Sequence, residues 1–347
     1  MPKIFFMRIN LLSFALLLML SPMLSWAGPK TDTVYLYNGD RITGEVKRFE
    51  YGVLFLKTDG MGTLNIEFDR IRTFYSTQQF TIQTASGLRL FGSIDTSHTD
   101  GYVNLKVKSL KIPVPISDIV EIYPVKNAFW KRLDGSVDLG YSYTKASTIS
   151  QLNFSGNISY RVQKSYTEIN GNSILTDQQD RDRIRKQDFS ALYNHFFKKG
   201  WFAGTFAGAQ QNTELGTIYR YYGGLGVGND LVQNNLHVLS GVLGLMYTTE
   251  KAESDSIINS VEGVMQWKYK MFRFHNPDIN ISSAFNLYPS ITSIGRFRLE
   301  YTLNAQIEIF NDFFFGLNFY DNYDSKPIDN TAATNDWGVT TSIGYSW

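Results

Sequence analysis

Residues 337–347 read Trp-Gly-Val-Thr-Thr-Ser-Ile-Gly-Tyr-Ser-Trp, and their alternation constrains the fold more than any other feature of the chain. Successive side chains of a strand point to opposite faces. Trp337, Val339, Thr341, Ile343, Tyr345 and Trp347 therefore share one face, and Gly338, Thr340, Ser342, Gly344 and Ser346 share the other. The first face is apolar with aromatics at both ends; the second is small and polar. A strand has this character when its outside meets lipid and its inside meets water. Only a closed sheet spans a bilayer, because hydrocarbon offers no partner to an unpaired backbone group. The pattern predicts a barrel in an outer membrane and is silent on what the barrel does.

The same alternation recurs upstream. About 12 amphipathic strands are expected, at 134–143, 149–162, 165–176, 185–197, 200–212, 217–230, 235–249, 256–270, 278–288, 294–310, 313–323 and 336–347. The tenth is the clearest: Phe297, Leu299, Tyr301, Leu303, Ala305, Ile307 and Ile309 form one face, and Arg296, Arg298, Glu300, Thr302, Asn304, Gln306 and Glu308 the other. A soluble sheet could show this once; its repetition in nearly every segment argues against a soluble sandwich. Residues 163–165, 198–200, 232–234 and 311–312 read as tight turns, whereas 177–184, 249–256 and 324–335 are longer and more charged. Short periplasmic turns and longer outer loops suit a bacterial barrel, and an even strand number puts both barrel termini in the periplasm.

Composition agrees. Aromatics make up 15% of the chain, with 21 Tyr and 25 Phe, as aromatic girdles require. A net charge of +1 gives no basis for a nucleic-acid partner. Mean hydropathy is −0.20, and after residue 27 no run of 18 apolar residues could form a spanning helix. Residues 1–27 read as a signal peptide: Lys3 and Arg8 precede an apolar core at 9–20, and Ser25 and Ala27 fit the cleavage rule, so the mature chain is expected to begin at Gly28. There is no Cys, hence no disulfide and no thiol for lipid attachment.

Residues 28–123 have a different texture, with short strands and frequent turns. An internal repeat appears at an offset of 48: Asn38-Gly39-Asp40-Arg41-Ile42-Thr43-Gly44 aligns with Ser86-Gly87-Leu88-Arg89-Leu90-Phe91-Gly92, Phe68-Asp69-Arg70-Ile71 with Ile116-Ser117-Asp118-Ile119, and Tyr75 with Tyr123. Asn-Gly between alternating apolar residues signals a hairpin. Gly44 and Gly92 mark sharp strand bends, as in a small barrel. The expected unit is a small periplasmic β domain of two SH3-like or Sm-like repeats, at about 32–75 and 80–123, serving packing or docking. Residues 124–133 form a linker in which Phe129 and Trp130 lie among Lys126, Lys131 and Arg132, a mixture suited to a membrane interface.

A resemblance rests on Gly-Ser-Val-Asp-Leu-Gly-Tyr at 135–141, the Leu-x-Phe-x-Gly strand at 152–156, Tyr222-Gly223-Gly224-Leu225-Gly226-Val227-Gly228 and the C-terminal aromatic. Over about residues 134–347 the chain resembles the salt-induced outer-membrane proteins of Gram-negative envelopes, also called the domain-of-unknown-function 481 family. That resemblance implies a barrel and an outer-membrane location. It brings no catalytic residues. It also implies that Tyr345 and Trp347 act as the assembly signal read by the barrel-assembly machinery.

Chemistry is sparse. His98, His195, His237 and His275 assemble into no Ser-His-carboxylate set by spacing, and no two sit at metal-ligand spacing, so no catalytic residue, cofactor or metal is expected. The lumen carries more information. Asp138, Glu168, Arg220, Arg296, Arg298, Glu300 and Glu308 fall on inward positions, where charges of both signs either cross-link and plug the lumen or line a selective pore. The Gly-rich sixth strand is read as a curvature device. Arg181, Arg183, Arg185 and Lys186 fall in an outer loop, where they can pair with lipopolysaccharide phosphates or remain solvated. The leading expectation is a structural or envelope-stress barrel, with a narrow channel as one form of that role. The alternatives are an anchor presenting residues 28–123 to a periplasmic partner, and an enzyme acting on lipid or lipopolysaccharide.

Overall fold

The computed structural model describes residues 32–345, except 126–128, 146–147, 163, 179–182, 214–216, 253–256, 275–276, 311 and 328–333; the side chains of Lys131 and Ala252 are likewise not described. It is all-β, in two sheets. The proposed signal segment 1–27 and the terminal Trp347 lie outside the described residues.

The first sheet comprises β1 (Asp32–Leu36), β2 (Arg41–Glu50), β3 (Val53–Lys57), β4 (Thr63–Glu67), β5 (Ile71–Thr84), β6 (Arg89–Thr96), β7 (Tyr102–Val107), β8 (Leu110–Pro115) and β9 (Ile119–Pro124). The 48-residue repeat is visible as geometry. Phe68–Arg70 forms a 3-10 turn before β5, and Ile116–Asp118 forms one before β9. The two units share β5: its first half pairs with β1, and its second half pairs with β6 and β9. The register breaks between Ser76 and Phe80, where one unit gives way to the next. Gly39, at φ +93°, turns β1 into β2. At Gly92 a Cβ would strike the Lys106 carbonyl oxygen, so the close strand crossing there admits only glycine. The buried apolar cluster, from Val34 to Ile122 and including Phe49, Phe74 and Phe80, lies entirely within this module.

The second sheet comprises β10 (Leu133–Thr144), β11 (Ile149–Val162), β12 (Ser165–Gln178), β13 (Ile184–Phe196), β14 (Trp201–Asn212), β15 (Thr217–Gln233), β16 (His237–Ala252), β17 (Ile257–Arg273), β18 (Ile279–Pro289), β19 (Phe297–Phe310), β20 (Phe313–Asp324) and β21 (Asn335–Tyr345). The 12 strands run antiparallel in sequence order, each bonded to the next. Their ends fall within about three residues of the expected ones. The sheet is strongly curled: Ser190 on β13 and Glu300 on β19, six strands apart, line one interior cavity. Cross-strand partners share a face, so the register carries the interior from Asp138 through Ser155 to Asn172 and from Leu192 through Phe206 to Gly224. The opposite face exposes Leu139, Phe154, Phe189, Leu225, Leu245, Trp267, Val339 and Ile343. Among the described residues, β10 and β21 each ladder with one neighbour and not with each other, and nearly all their residues are exposed on both faces.

Candidate functional site

The interior of the curled sheet changes character along its length. Near the long-loop end it holds a lattice of buried ions. Arg296 makes a forked bond to Asp324 (Nη2–Oδ2 2.6 Å, Nε–Oδ1 3.2 Å) and reaches Glu250 at 3.7 Å. Glu250 also accepts from Arg220 on the adjacent strand. Arg298 Nη2 donates to Glu262 Oε2 at 2.6 Å, and Ser260 Oγ donates to the other oxygen of that carboxylate at 3.0 Å. Glu300 accepts from Tyr288 Oη at 3.3 Å and Asn286 Nδ2 at 3.4 Å. Glu250, Glu262, Arg296 and Arg298 are all less than a tenth exposed. Removing such ions from water costs several kcal/mol each unless partners satisfy them. Here the partners come from β15, β16, β17, β19 and β20, so the lattice ties five strands together.

Below the lattice lies a cavity of about 390 Å³ lined by Phe202, Phe206, Tyr222, Met246 and Val264 together with Lys268 and Gln266. The Gly-rich strand β15 explains the room for these rings. A Cβ at Gly224 would meet Phe206 Cζ at 2.5 Å, and one at Gly228 would strike the Phe202 ring. These glycines therefore accommodate aromatics inside the curl, a more specific task than the curvature expected of them.

The candidate lumen residues divide. Arg220, Arg296 and Arg298 join the lattice and Glu300 borders it. Arg296 does so from the loop just before β19, not from the strand in which the alternation put it. Glu168 is a separate hub, accepting from Tyr166 Oη (3.0 Å), Asn170 Nδ2 (3.1 Å) and Asn157 Nδ2 (3.3 Å). Asp138 is exposed on the interior face of β10. Glu308 serves the tight-turn end, where its oxygens accept the Asp312 N–H at 2.9 Å and the Asp278 N–H at 3.4 Å. Sequence reasoning missed Glu250, Glu262 and Asp324. Their signal was positional: each lies on the interior face at the level of an inward arginine.

Elsewhere the residues are unremarkable. Arg183 forks onto Asp177 at 2.5 and 3.0 Å, which holds its guanidinium above the usual range through that bond. The Arg185 N–H donates to Thr213 Oγ1, and Lys186 is exposed; Arg181 lies outside the described residues. Tyr345 stands opposite Phe313, with its side chain exposed. His195 meets Phe197 edge-on, His237 Nδ1 lies 3.0 Å from Tyr269 Oη, His98 sits in a bend of the module, and His275 is outside the described residues. Among the described residues, no group of three His, Asp or Glu could hold a metal ion.

The tight-turn end is where the small module sits. It is docked on the sheet. Tyr51 packs on Phe272 (5.1 Å between ring centres) and accepts from Lys270 Nζ at 3.1 Å. Phe68 meets Phe274 edge-on. Asn235 Nδ2 donates to the Ser117 carbonyl at 3.1 Å, Gln83 bonds Gln233, and Gln233 reaches Glu121. Arg161 lies 4.0 Å over the Tyr123 ring and 3.4 Å from Glu121; Arg89 lies 4.1 Å over the Phe196 ring. Burial, with Glu121 close by, pushes the Tyr123 phenol well above its ordinary value.

Against this geometry, the family described as "Protein of unknown function, DUF481" matches residues 137–347. No curated protein and no solved structure matches the chain.

Proposed function

Because the chain belongs to the DUF481 family, and because its sheet is apolar outside and ionic within, we propose a structural barrel of the Gram-negative outer membrane that carries its N-terminal module across its periplasmic mouth. The single observation that carries the reading is the inversion of burial. The module buries an apolar cluster around Phe49, Phe74 and Phe80, whereas the 12-stranded sheet exposes Leu139, Leu225, Leu245 and Ile343 and buries Glu262, Arg296 and Arg298. That inversion is stable only where the surroundings of the sheet are themselves apolar. Phe129 and Trp130, strongly exposed and stacked edge-on beside Tyr160, suit the membrane interface at the turn end.

The ion lattice and the docked module both narrow the lumen, which favours a mechanical or envelope-stress role over free diffusion. In the membrane, β10 and β21 complete the barrel by pairing with each other, since neither edge finds another backbone partner in hydrocarbon. The docked module also makes the barrel its anchor, and any periplasmic partner of residues 28–123 would meet the surface that faces away from the sheet.

The test is fractionation with gel mobility. The mature chain should sediment with the outer membrane and migrate faster unboiled than boiled, because a closed barrel resists detergent. A soluble periplasmic pool without a heat-dependent shift overturns the proposal.

A further inference from the structure

Where the module meets the turn end of β10 and β11, the two bodies enclose a cavity of about 680 Å³ that no part of the barrel reading uses. Its lining contains six cations, Lys47, Arg48, Lys57, Arg89, Arg132 and Arg161, against two carboxylates, Glu121 and Asp134. Glu45 holds Lys47 and Glu50 holds Arg48 from outside the lining, which still leaves a positive excess. Among the described residues neither Lys57 nor Arg89 makes an ion pair. Arg89 is fixed by a 2.7 Å bond from its Nε to Gln83 Oε1 and by the Phe196 ring beneath it. One edge and one face of its guanidinium therefore have a built orientation, and the remaining donors are in ion-pair contact with no carboxylate, although Glu121 and Asp230 act on it at longer range. Burial lowers the affinity of Arg89 for its proton, as does the neighbouring Arg161 charge, with Glu121 and Asp230 acting in the opposite sense. Arg161 is likewise held by rings on two sides, Tyr123 at 4.0 Å and Tyr166 at 5.0 Å. An arginine fork held in place before binding is suited to phosphate oxygens. Phe91, Pro124, Val125 and Val162 supply an apolar wall, and Arg132 in the lining donates to Tyr160 Oη, the ring on which the exposed Phe129 packs.

We propose that this cavity binds a phosphate-bearing anion, specifically the headgroup of an anionic phospholipid from the leaflet at the turn end, with Arg89, Arg132 and Arg161 around the phosphate. The assignment to a lipid rests on the membrane reading above; the assignment to a phosphate rests on the arginines alone. Lodged there, the headgroup would join module to barrel, since it would contact both.

The experiment uses the full mature chain refolded in phosphatidylcholine nanodiscs and titrated calorimetrically with short-chain phosphatidylglycerol, short-chain phosphatidylcholine or inorganic phosphate. Phosphatidylglycerol should bind at least about tenfold tighter than phosphatidylcholine, and the affinity should fall with salt. Arg89→Gln should weaken it by about tenfold, as the loss of one charge-assisted donor predicts. Lys57→Gln, at an exposed position, should weaken it less and keeps the test open if the Arg89 variant misfolds. Equal affinity for the two lipids, or indifference to both substitutions in chains that retain the heat-dependent mobility shift, overturns the proposal. Inorganic phosphate binding as tightly as phosphatidylglycerol overturns the lipid assignment. If the chain proves soluble, the membrane reading falls by itself, and phosphate affinity with its Arg89→Gln dependence still decides whether the cavity is an anion site.

Discussion

Two buried carboxylates illustrate opposite uses of the same side chain. Glu262 is paired with Arg298 2.6 Å away, and neither is more than a tenth exposed. Removing one partner leaves an uncompensated buried charge, so Glu262→Ala should destabilise the barrel by about 3–5 kcal/mol. Removing both, as Glu262→Leu with Arg298→Met, should cost markedly less. Folding titrations in lipid vesicles check this through a double-mutant cycle, and additivity of the two single changes would show that the pair is not coupled. Asp32, in the module, works without a cation: its carboxylate accepts the Val46 N–H at 2.7 Å and Gln78 Nε2 at 2.6 Å. Burial raises its pKa, outweighing those bonds. A raised carboxyl contributes stability below its unfolded value, about 3.9, and loses that contribution as pH rises through the folded value. Asp32→Asn should therefore flatten the module's pH dependence on the acid side. Asp32→Ala should cost about 1–3 kcal/mol by stranding a buried N–H. Amide exchange at Val46 reads both effects.

Strands were the most legible elements, because alternation with a period of two needs no tertiary information. The interior register of β19 follows from its sequence: Asn304 lines an interior cavity with Ser282 and Asn318, while Leu303 lies on the other face opposite Ser283 and Phe319. Leu303→Arg should therefore cost about 2–4 kcal/mol in a bilayer, whereas Asn304→Arg should be tolerated. Vesicle folding titrations compare the two, and equal destabilisation would refute the register. The module's repeats were legible for a different reason: two copies of one pattern reinforce each other, down to the paired 3-10 turns. What sequence did not reveal is how elements meet. Glu250, Glu262 and Asp324 find their arginines only once strands are curled to a common level, and β5 belongs to both units, which a repeat boundary cannot express. Arg89 and Arg161 come to line one cavity only where the module and the sheet meet, which neither pattern alone expresses.

As a whole, the proposed barrel would carry two obstructions in series, the ion lattice toward the loops and the module across the turns. The intact refolded chain should pass little current in a planar bilayer. Deleting residues 28–130 should raise conductance modestly, and combining that deletion with loss of the Glu262–Arg298 pair should raise it further. A large open-channel current from the intact chain would contradict the reading. The docking surface also has a history. Its contacts come from separate hairpins: Arg161 from the β11–β12 pair, Phe196 from β13–β14, Gln233 and Asn235 from β15–β16, and Phe272 and Phe274 from β17–β18. That surface does not exist until all four stand side by side. The module is translated first, yet its seat is complete only once these hairpins stand side by side.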